Sequence, residues 1–594
     1  MTEYQSGTIR KLSGIAVSPG IIIGKAHLVD RKTVKILYQY LIGEEQVKAE
    51  VARFENALET TERQLTRVKN GMADLVKEHA FIIESHLMIL KDSMLTGSTI
   101  RRIDEEKINA EWALKKSLEE IRGIFRQIED EYISTRITDV ENVADRILRN
   151  LAGEDSDGIG EINERVIIVA HDLSPADTSE LNIEKVMGFI TDAGGRTSHT
   201  GIIAQALEIP AIVGLESATD AVQEGDLLIV DGNSGDVVIN PDDSEIIHYQ
   251  ERQLGYEEYK SSIARISHLP AVTSDGHRIN VSANVEFLEE VAAIKEHGGE
   301  GIGLYRTEIL YLRSRKLPSE QELFENYREV AEIMAPACVT IRTLDLGGDK
   351  IAGSFELMNE ANPALGMRAI RFCLKEPAIF KTQLKAILRA SIYGQVQILF
   401  PMISGLRELL DAKELLDQAK RELEREKVDF DDRIRIGIMI EVPSAVTMAD
   451  VLAAHVDFFS IGTNDLIQYA LASDRINEHV AYMFEPFHPA ILRMIKQVVM
   501  ATKEAGIGLS ICGEMAGDPL CIFILVALGI EDLSLNSRSI PLIKKIVRSL
   551  SRKEAEKDLE NIFRLKTADE VRGYMMAKMQ SIVPELEEKG YLGG

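Results

Sequence analysis

Cysteine is scarce in this sequence, and apolar runs of membrane length are missing. Four cysteines occur in 594 residues, Cys338, Cys373, Cys512 and Cys521, and no two form a CxxC pair. That spacing speaks against a disulfide framework or a zinc site. An isolated cysteine of an intracellular enzyme ordinarily packs as a small hydrophobe. No apolar run reaches the length that a membrane helix needs, so no membrane insertion is expected. The opening residues, MTEYQSGTIRKLSG, lack the apolar centre of a signal peptide, and the expected location is the cytoplasm. Basic charge is short as well: 68 Lys and Arg stand against 95 Asp and Glu, a formal net charge of −27. That balance argues against nucleic acid as a partner, because phosphate backbones are held by basic patches. It also means that an anionic substrate needs arginines concentrated in one place.

What is present is ordinary globular material, 45% hydrophobic and 27% charged. The chain is too long for a single core, and two to four domains are expected. Residues 13–29, GIAVSPGIIIGKAHLVD, read as two short strands around a Ser-Pro-Gly turn. Residues 44–152 carry apolar residues at three- and four-residue spacing with almost no proline, the pattern of helices. Strand patterns return in RVIIVA (165–170), VMGFITD (186–192), AIVG (211–214), DLLIVD (226–231) and DVVIN (236–240). The last two flank GNSG, a hairpin signal. The simplest arrangement is one discontinuous α/β domain, residues 1–43 and 153–241, with a helical bundle, 44–152, inserted into it. Residues 242–268 form a charged helical stretch, expected to be a semi-rigid linker.

From residue 269 to 594, strand and helix patterns alternate. The candidate strands are INVSAN (279–284), GIGLY (301–305), CVTIRTLD (338–345), VQILF (396–400), RIGIMI (435–440), DFFSI (457–461), IGLSIC (507–512) and DLSLN (532–536). Eight units of this kind suggest a (β/α)8 barrel rather than a doubly wound sheet. In such a barrel, chemistry gathers where strands end. Arg306 follows GIGLY, and Arg342 and Asp345 end the third strand. Glu441 follows RIGIMI, Asn464 and Asp465 follow DFFSI, and Cys512 ends IGLSIC.

Two groups of residues carry candidate chemistry. In TDAGGRTSHTGIIAQ, a strand runs into Gly194-Gly195, and a helix is expected to begin at Thr197 or Ser198, good N-cap residues. His199 would then sit in the first helical turn, where the dipole favours a neutral imidazole and stabilises an attached phosphate. In the barrel, Arg306, Arg342 and Arg475 suit a phosphate and a carboxylate. Glu441 and Asp465 are hard oxygen ligands suited to Mg²⁺. Lys350 and Arg368 add charge or lie on a solvated surface, and Cys512 stands out by position alone.

Taken together and in this order, the motifs resemble Enzyme I of the bacterial phosphoenolpyruvate-dependent sugar phosphotransferase system. They are SPGIIIGKA, DLSPADT (172–178), GGRTSHT (194–200), GIGLYRTE (301–308), IRTLDLGGDK (341–350), NPALGMRAIR (362–371), IGIMIEVPSA (436–445), FFSIGTNDLIQY (458–469) and CGEMAGD (512–518). The resemblance implies a phosphoenolpyruvate–protein phosphotransferase that takes phosphate onto His199, with Thr178 orienting the ring. It implies substrate binding by Arg306, Arg342, Lys350, Arg368, Asn464 and Arg475, Mg²⁺ binding by Glu441 and Asp465, and protonation of the enolate by Cys512. It further implies a helical insertion that docks the phosphocarrier protein HPr, and a homodimer formed through the barrel domain.

The chemistry agrees with that implication. Phosphoenolpyruvate donates strongly because its enolate becomes a ketone once a carbon is protonated. A site for it needs anion clamps, a cation, an in-line nucleophile and a carbon acid. Pyruvate phosphate dikinase and phosphoenolpyruvate synthase share parts of this pattern but also need an ATP-grasp domain, for which the chain has no stretch. A non-catalytic regulator would have lost motif residues, and none is missing.

Overall fold

The computed structural model describes residues 10–29, 40–71, 80–125, 131–153, 164–173, 185–195, 200–201, 204, 209–312, 316–347, 362–475, 477 and 479–588. It separates into two compact units, Met1–Glu258 and Tyr259–Gly594.

The first unit begins with β1 (Arg10–Ser13), β2 (Ile15–Ser18) and β3 (Ile21–Val29). Helices α1 (Val47–Gly71), α2 (Ala80–Ile89), α3 (Ser98–Glu106), α4 (Ala110–Phe125) and α5 (Glu131–Ala152) follow. Phe54, Leu65, Ile83, Leu114 and Ile147 are buried together in a core belonging to these helices, as their spacing predicts. The chain then returns to strands: β4 (Val166–Ala170), β5 (Val186–Thr191), β6 (Ala211–Val213), β7 (Leu227–Asp231) and β8 (Asp236–Ile239). One mixed sheet results, in the order β1-β8-β7-β3-β4-β5-β6-β2. β3, β4, β5 and β6 run parallel, and β7 and β8 form the antiparallel hairpin signalled by GNSG. β1 went unpredicted, since four residues, RKLS, show no apolar alternation; β8 supplies its partner.

Residues Asp243–Ile266 form the continuous helix α6. In the first unit, Tyr249 of α6 is buried with Ile21, Ile229 and Val238. Arg252 pairs with the buried Asp231 at 2.7 Å. In the second unit, Tyr259 and Ile263 are buried, and the Lys545 ammonium lies 3.8 Å from the Tyr259 ring centre.

The second unit adds β9 (Ala271–Val272), β10 (Arg278–Val285), β11 (Ile302–Tyr305), β12 (Cys338–Arg342), β13 (Gln395–Phe400), β14 (Arg435–Ile440), β15 (Phe458–Gly462), β16 (Gly508–Cys512) and β17 (Asp532–Asn536). β10 to β17 pair in parallel, each with the next, and β17 pairs back with β10, so eight strands close into a barrel. β9 runs antiparallel beside β10. Every predicted barrel strand is present, its bounds within one residue of those expected except at one end. β12 stops at Arg342, short of Asp345, because the backbone leaves the ladder there. The Leu344 amide donates to Gln383 Oε1 at 2.9 Å and the Asp345 amide to Glu308 Oε1 at 3.1 Å.

Candidate active site

Alternation along a barrel strand sends every second side chain into the lumen. Leu304, Leu399, Met439, Phe458 and Cys512 form one small buried cluster. Arg342, the last residue of β12, is buried, and its Nη1 lies 3.9 Å from the Met439 sulfur. Arg342 Nη2 lies 3.0 Å from Glu308 Oε1 and its Nη1 2.9 Å from Asp345 Oδ2. Burial opposes the charge on Arg342, but Glu308 and Asp345 outweigh it and raise the guanidinium pKa. Burial also raises the Asp345 carboxyl, yet Arg342 and Arg368 overcome it and hold this group below the usual carboxylate value. Burial prevails at Glu308, whose carboxyl is raised.

Arg368 extends this network. Its Nη2 donates to both Asp345 oxygens, at 3.0 and 3.2 Å, and its Nη1 donates to Asp465 Oδ1 at 3.3 Å and to the Tyr469 hydroxyl at 3.0 Å. Tyr469 in turn donates to the Ala364 carbonyl at 2.5 Å. Arg368 is thus a partly buried member of the carboxylate network, not solvated surface. Its neighbour Ala369 has φ of +53°, a left-handed conformation rare outside glycine and often found where a site imposes strain.

Glu441 immediately follows β14 and is fully buried. Its Oε1 accepts from the Met402 amide at 2.6 Å, and Met402 also sits at positive φ, +57°. Its Oε2 is buried without a hydrogen-bond partner. A Cβ on Gly462 would stand 2.7 Å from that oxygen, so glycine keeps the space beside it open. Burial, with Asp465 and Asp345 close by, pushes the Glu441 carboxyl up to about 8. A buried acceptor with no donor, next to a second carboxylate, is the arrangement that a hard cation satisfies. A magnesium ion takes one or two protein carboxylates and completes its octahedron with water and substrate oxygen, so this pair fits it without a third acidic ligand. Among the described residues no group of three or more His, Cys, Asp or Glu forms a metal cage.

The other side of the mouth is more open. Arg306, just past β11, pairs with Glu286. Helix α7 (Thr463–Leu471) follows β15 and carries Asn464 and Asp465 in its first turn. Asn464 Oδ1 accepts from the Glu514 amide at 3.0 Å, and its Nδ2 donates to Glu514 Oε1 at 3.2 Å. Arg475 donates to the same Glu514 oxygen at 3.0 Å. The intervening Gly513 has φ of +103°, and a Cβ there would meet Thr463 Oγ1 at 2.4 Å. Cys512 lies opposite Gly462 in the ladder and is 2% exposed. Burial raises its thiol pKa, against the hydrogen bond from Ser460.

The structure therefore brings Arg306, Arg342, Arg368, Glu441, Asn464, Asp465, Arg475 and Cys512 to the C-terminal strand ends of one barrel. His199, Thr178 and Lys350 lie outside the described residues. Several participants escaped the sequence pattern. Glu308 belongs to GIGLYRTE but had no role without knowledge of its partner. Gln383 lies on a distant helix. Its buried amide accepts from the Leu344 N–H and donates to Thr307 Oγ1 at 3.1 Å and to the Tyr327 hydroxyl at 3.2 Å, tying the ends of β11 and β12 together. No spacing in the sequence signals that contact. Tyr469, in contrast, stands seven residues from Gly462 in a quoted motif and was open to consideration.

Three domain families match the chain. The PEP-utilising enzyme N-terminal domain covers residues 13–136, the mobile domain 162–235 and the PEP-binding domain 260–552. Fold, strand-end chemistry and domain order thus define a phosphoenolpyruvate-utilising enzyme. Curated relatives narrow the class. A phosphoenolpyruvate-protein phosphotransferase of Staphylococcus carnosus (strain TM300) is 41% identical over 95% of this chain and 98% of its own. That of Bacillus subtilis (strain 168) is 41% identical over 96% and 99%, and that of Geobacillus stearothermophilus 42% over 95% and 98%. The chain belongs to the phosphoenolpyruvate-protein phosphotransferase family. Among the described residues no helix is long and apolar enough to cross a membrane.

Proposed function

We propose that this enzyme takes the phosphoryl group of phosphoenolpyruvate onto His199 and passes it to a histidine of HPr in the cytoplasm, releasing pyruvate as the first step of sugar phosphotransferase uptake. The observation that carries the proposal is the barrel mouth, where clustered arginines, an unsatisfied buried carboxylate oxygen and a buried thiol stand at the ends of the alternate strands β12, β14 and β16.

Arg306, Arg342, Arg368 and Arg475, with Asn464 and Lys350, hold the phosphate and carboxylate of the substrate. Among the described residues, these four arginines share the mouth with six carboxylates, those of Glu286, Glu308, Asp345, Glu441, Asp465 and Glu514. Carboxylates this close would repel so anionic a substrate unless neutralised, which is the electrostatic reason for a bound cation. Glu441 and Asp465 would hold that cation, assigned as Mg²⁺, which would supply neutralising charge for the substrate oxygens. His199 takes the phosphoryl group in line, its ring oriented by Thr178. The P–O bond of the substrate breaks as the N–P bond forms, and Cys512 delivers the proton that turns the enolate into pyruvate. The helical segment 44–152 docks HPr, and the barrel pairs with a second copy.

The test is intact-mass spectrometry after mixing the protein with Mg²⁺ and phosphoenolpyruvate, with and without candidate HPr proteins. One acid-labile phosphate is expected on the protein, moving to HPr when it is added. His199→Ala should gain none; a retained acid-labile phosphate on that variant overturns the assignment.

A further inference from the structure

Ser460 lies in the middle of β15 and is fully buried. A hydroxyl in that position needs a partner, since an unpaired one is costly. The partner it finds is a sulfur: Ser460 Oγ donates to Cys512 Sγ at 3.4 Å. The thiol in turn donates to the Ile461 carbonyl at 3.5 Å. Cys512 is thus fixed from two sides by consecutive residues of the neighbouring strand, while its remaining neighbours in the small cluster, Leu304, Leu399, Met439 and Phe458, are apolar. That setting suits a neutral thiol and disfavours a thiolate.

Delivering the proton reverses this preference. The S–H bond breaks, a C–H bond forms at the substrate methylene, and the electron pair left behind resides on sulfur. The Ile461 carbonyl then faces an anion and can only repel it. Ser460 is the one described side chain donating to that sulfur, and its hydrogen bond becomes charge-assisted at that moment. We propose that Ser460 is a positioning residue for the proton-transfer step, holding the Cys512 sulfur and stabilising the thiolate formed when the enolate is protonated. This rests on the assignment of Cys512 as the carbon acid.

The step runs in both directions, and its reverse can be watched. In D₂O containing Mg²⁺, phosphoenolpyruvate and pyruvate, the full-length enzyme should wash deuterium into the pyruvate methyl group, followed by loss of its proton NMR signal. Ser460→Ala should slow this exchange at least about tenfold, the effect of losing a hydrogen bond to a charged group. Ser460→Thr, which keeps the hydroxyl, should stay within about threefold of wild type. Phosphate exchange between His199 and HPr uses no carbon acid and should be unchanged in Ser460→Ala, as should its melting temperature. Should the alanine variant fail to fold, Ser460→Val compared with Ser460→Thr, alike in shape and differing in the hydroxyl, gives the same readout. Wild-type exchange in Ser460→Ala, with exchange abolished in Cys512→Ala, overturns the role of Ser460 alone. Wild-type exchange in Cys512→Ala overturns the Cys512 assignment and this inference with it.

Discussion

The two halves of the barrel mouth hold their arginines in opposite ways. In one half, Arg342, Asp345 and Glu308 have side chains 10%, 3% and 15% exposed, and each group touches more than one partner. In the other, Arg475 is 41% and its partner Glu514 72% exposed, and the Arg306–Glu286 pair is similarly open. Equal numbers of hydrogen bonds do not mean equal energies here. Breaking a buried pair strands a charge without water, whereas an exposed pair contributes about 0–1 kcal/mol. The buried half is therefore rigid before substrate arrives, and the exposed half can exchange its carboxylates for those of a ligand.

The largest loss of stability is expected where the buried network is broken. Arg342→Met leaves Asp345 and Glu308 facing one counter-ion fewer, at a cost of about 3–5 kcal/mol. Turnover should fall at least about a hundredfold, since a preorganised cationic donor is lost. Thermal melts and steady-state assays measure both. An unchanged melting temperature would mean that the two halves do not differ in the way described.

Glu441 sharpens the comparison because its burden is conditional. Its folded-state carboxyl, near 8, lies above the ordinary unfolded value of about 4.5. The folded protein therefore holds a proton here that the unfolded chain has released, and the associated stability is full below about pH 4.5 and lost as pH rises toward 8. Without Mg²⁺, wild type should lose melting temperature across that window at this site, and Glu441→Gln should lose less. Added Mg²⁺ should stabilise wild type increasingly at higher pH, because the proposed ligand is the deprotonated form, and should not stabilise the variant. The variant should also lose autophosphorylation. Parallel pH curves for the two proteins, in the absence of Mg²⁺, would show that Glu441 carries no unusual charge cost.

Much of this was legible in the sequence, for identifiable reasons. Barrel strands are short apolar or alternating runs, so RIGIMI and INVSAN announce themselves, and closure is expected from their number. Strand-end arginines and carboxylates were visible because they break those runs. The partnerships were not. Whether Arg342 meets Glu308, or Gln383 bridges two strand ends, depends on how neighbouring strands align on closure, which residue spacing does not encode. β1 and β9 were missed because RKLS holds a single apolar residue and β9 is only two residues long, and their partners make them strands. The buried partner of Cys512 was hidden too, as Ser460 reads simply as the small residue inside DFFSI.

The smallest effect, and the finest test of the contrast, belongs to Glu514. Its carboxylate accepts from both Arg475 and Asn464, occupying donors that the proposed site offers to substrate. Because it is largely exposed, replacing it should leave stability within about 0.5 kcal/mol of wild type. Its influence on binding has a definite sign. Substrate must displace this carboxylate, and the negative charge that remains nearby opposes an anionic ligand. Glu514→Gln keeps an acceptor for Asn464 and leaves the backbone bond to Asn464 untouched, but removes the charge. KM for phosphoenolpyruvate should then fall about two- to fivefold, the range of one exposed ion pair, with kcat nearly unchanged. High salt should shrink the difference between variant and wild type, since it screens exposed charges far more than buried ones. A rise in KM would mean that Glu514 aligns Arg475 for substrate instead of competing with it, and the exposed half would then be as preorganised as the buried one.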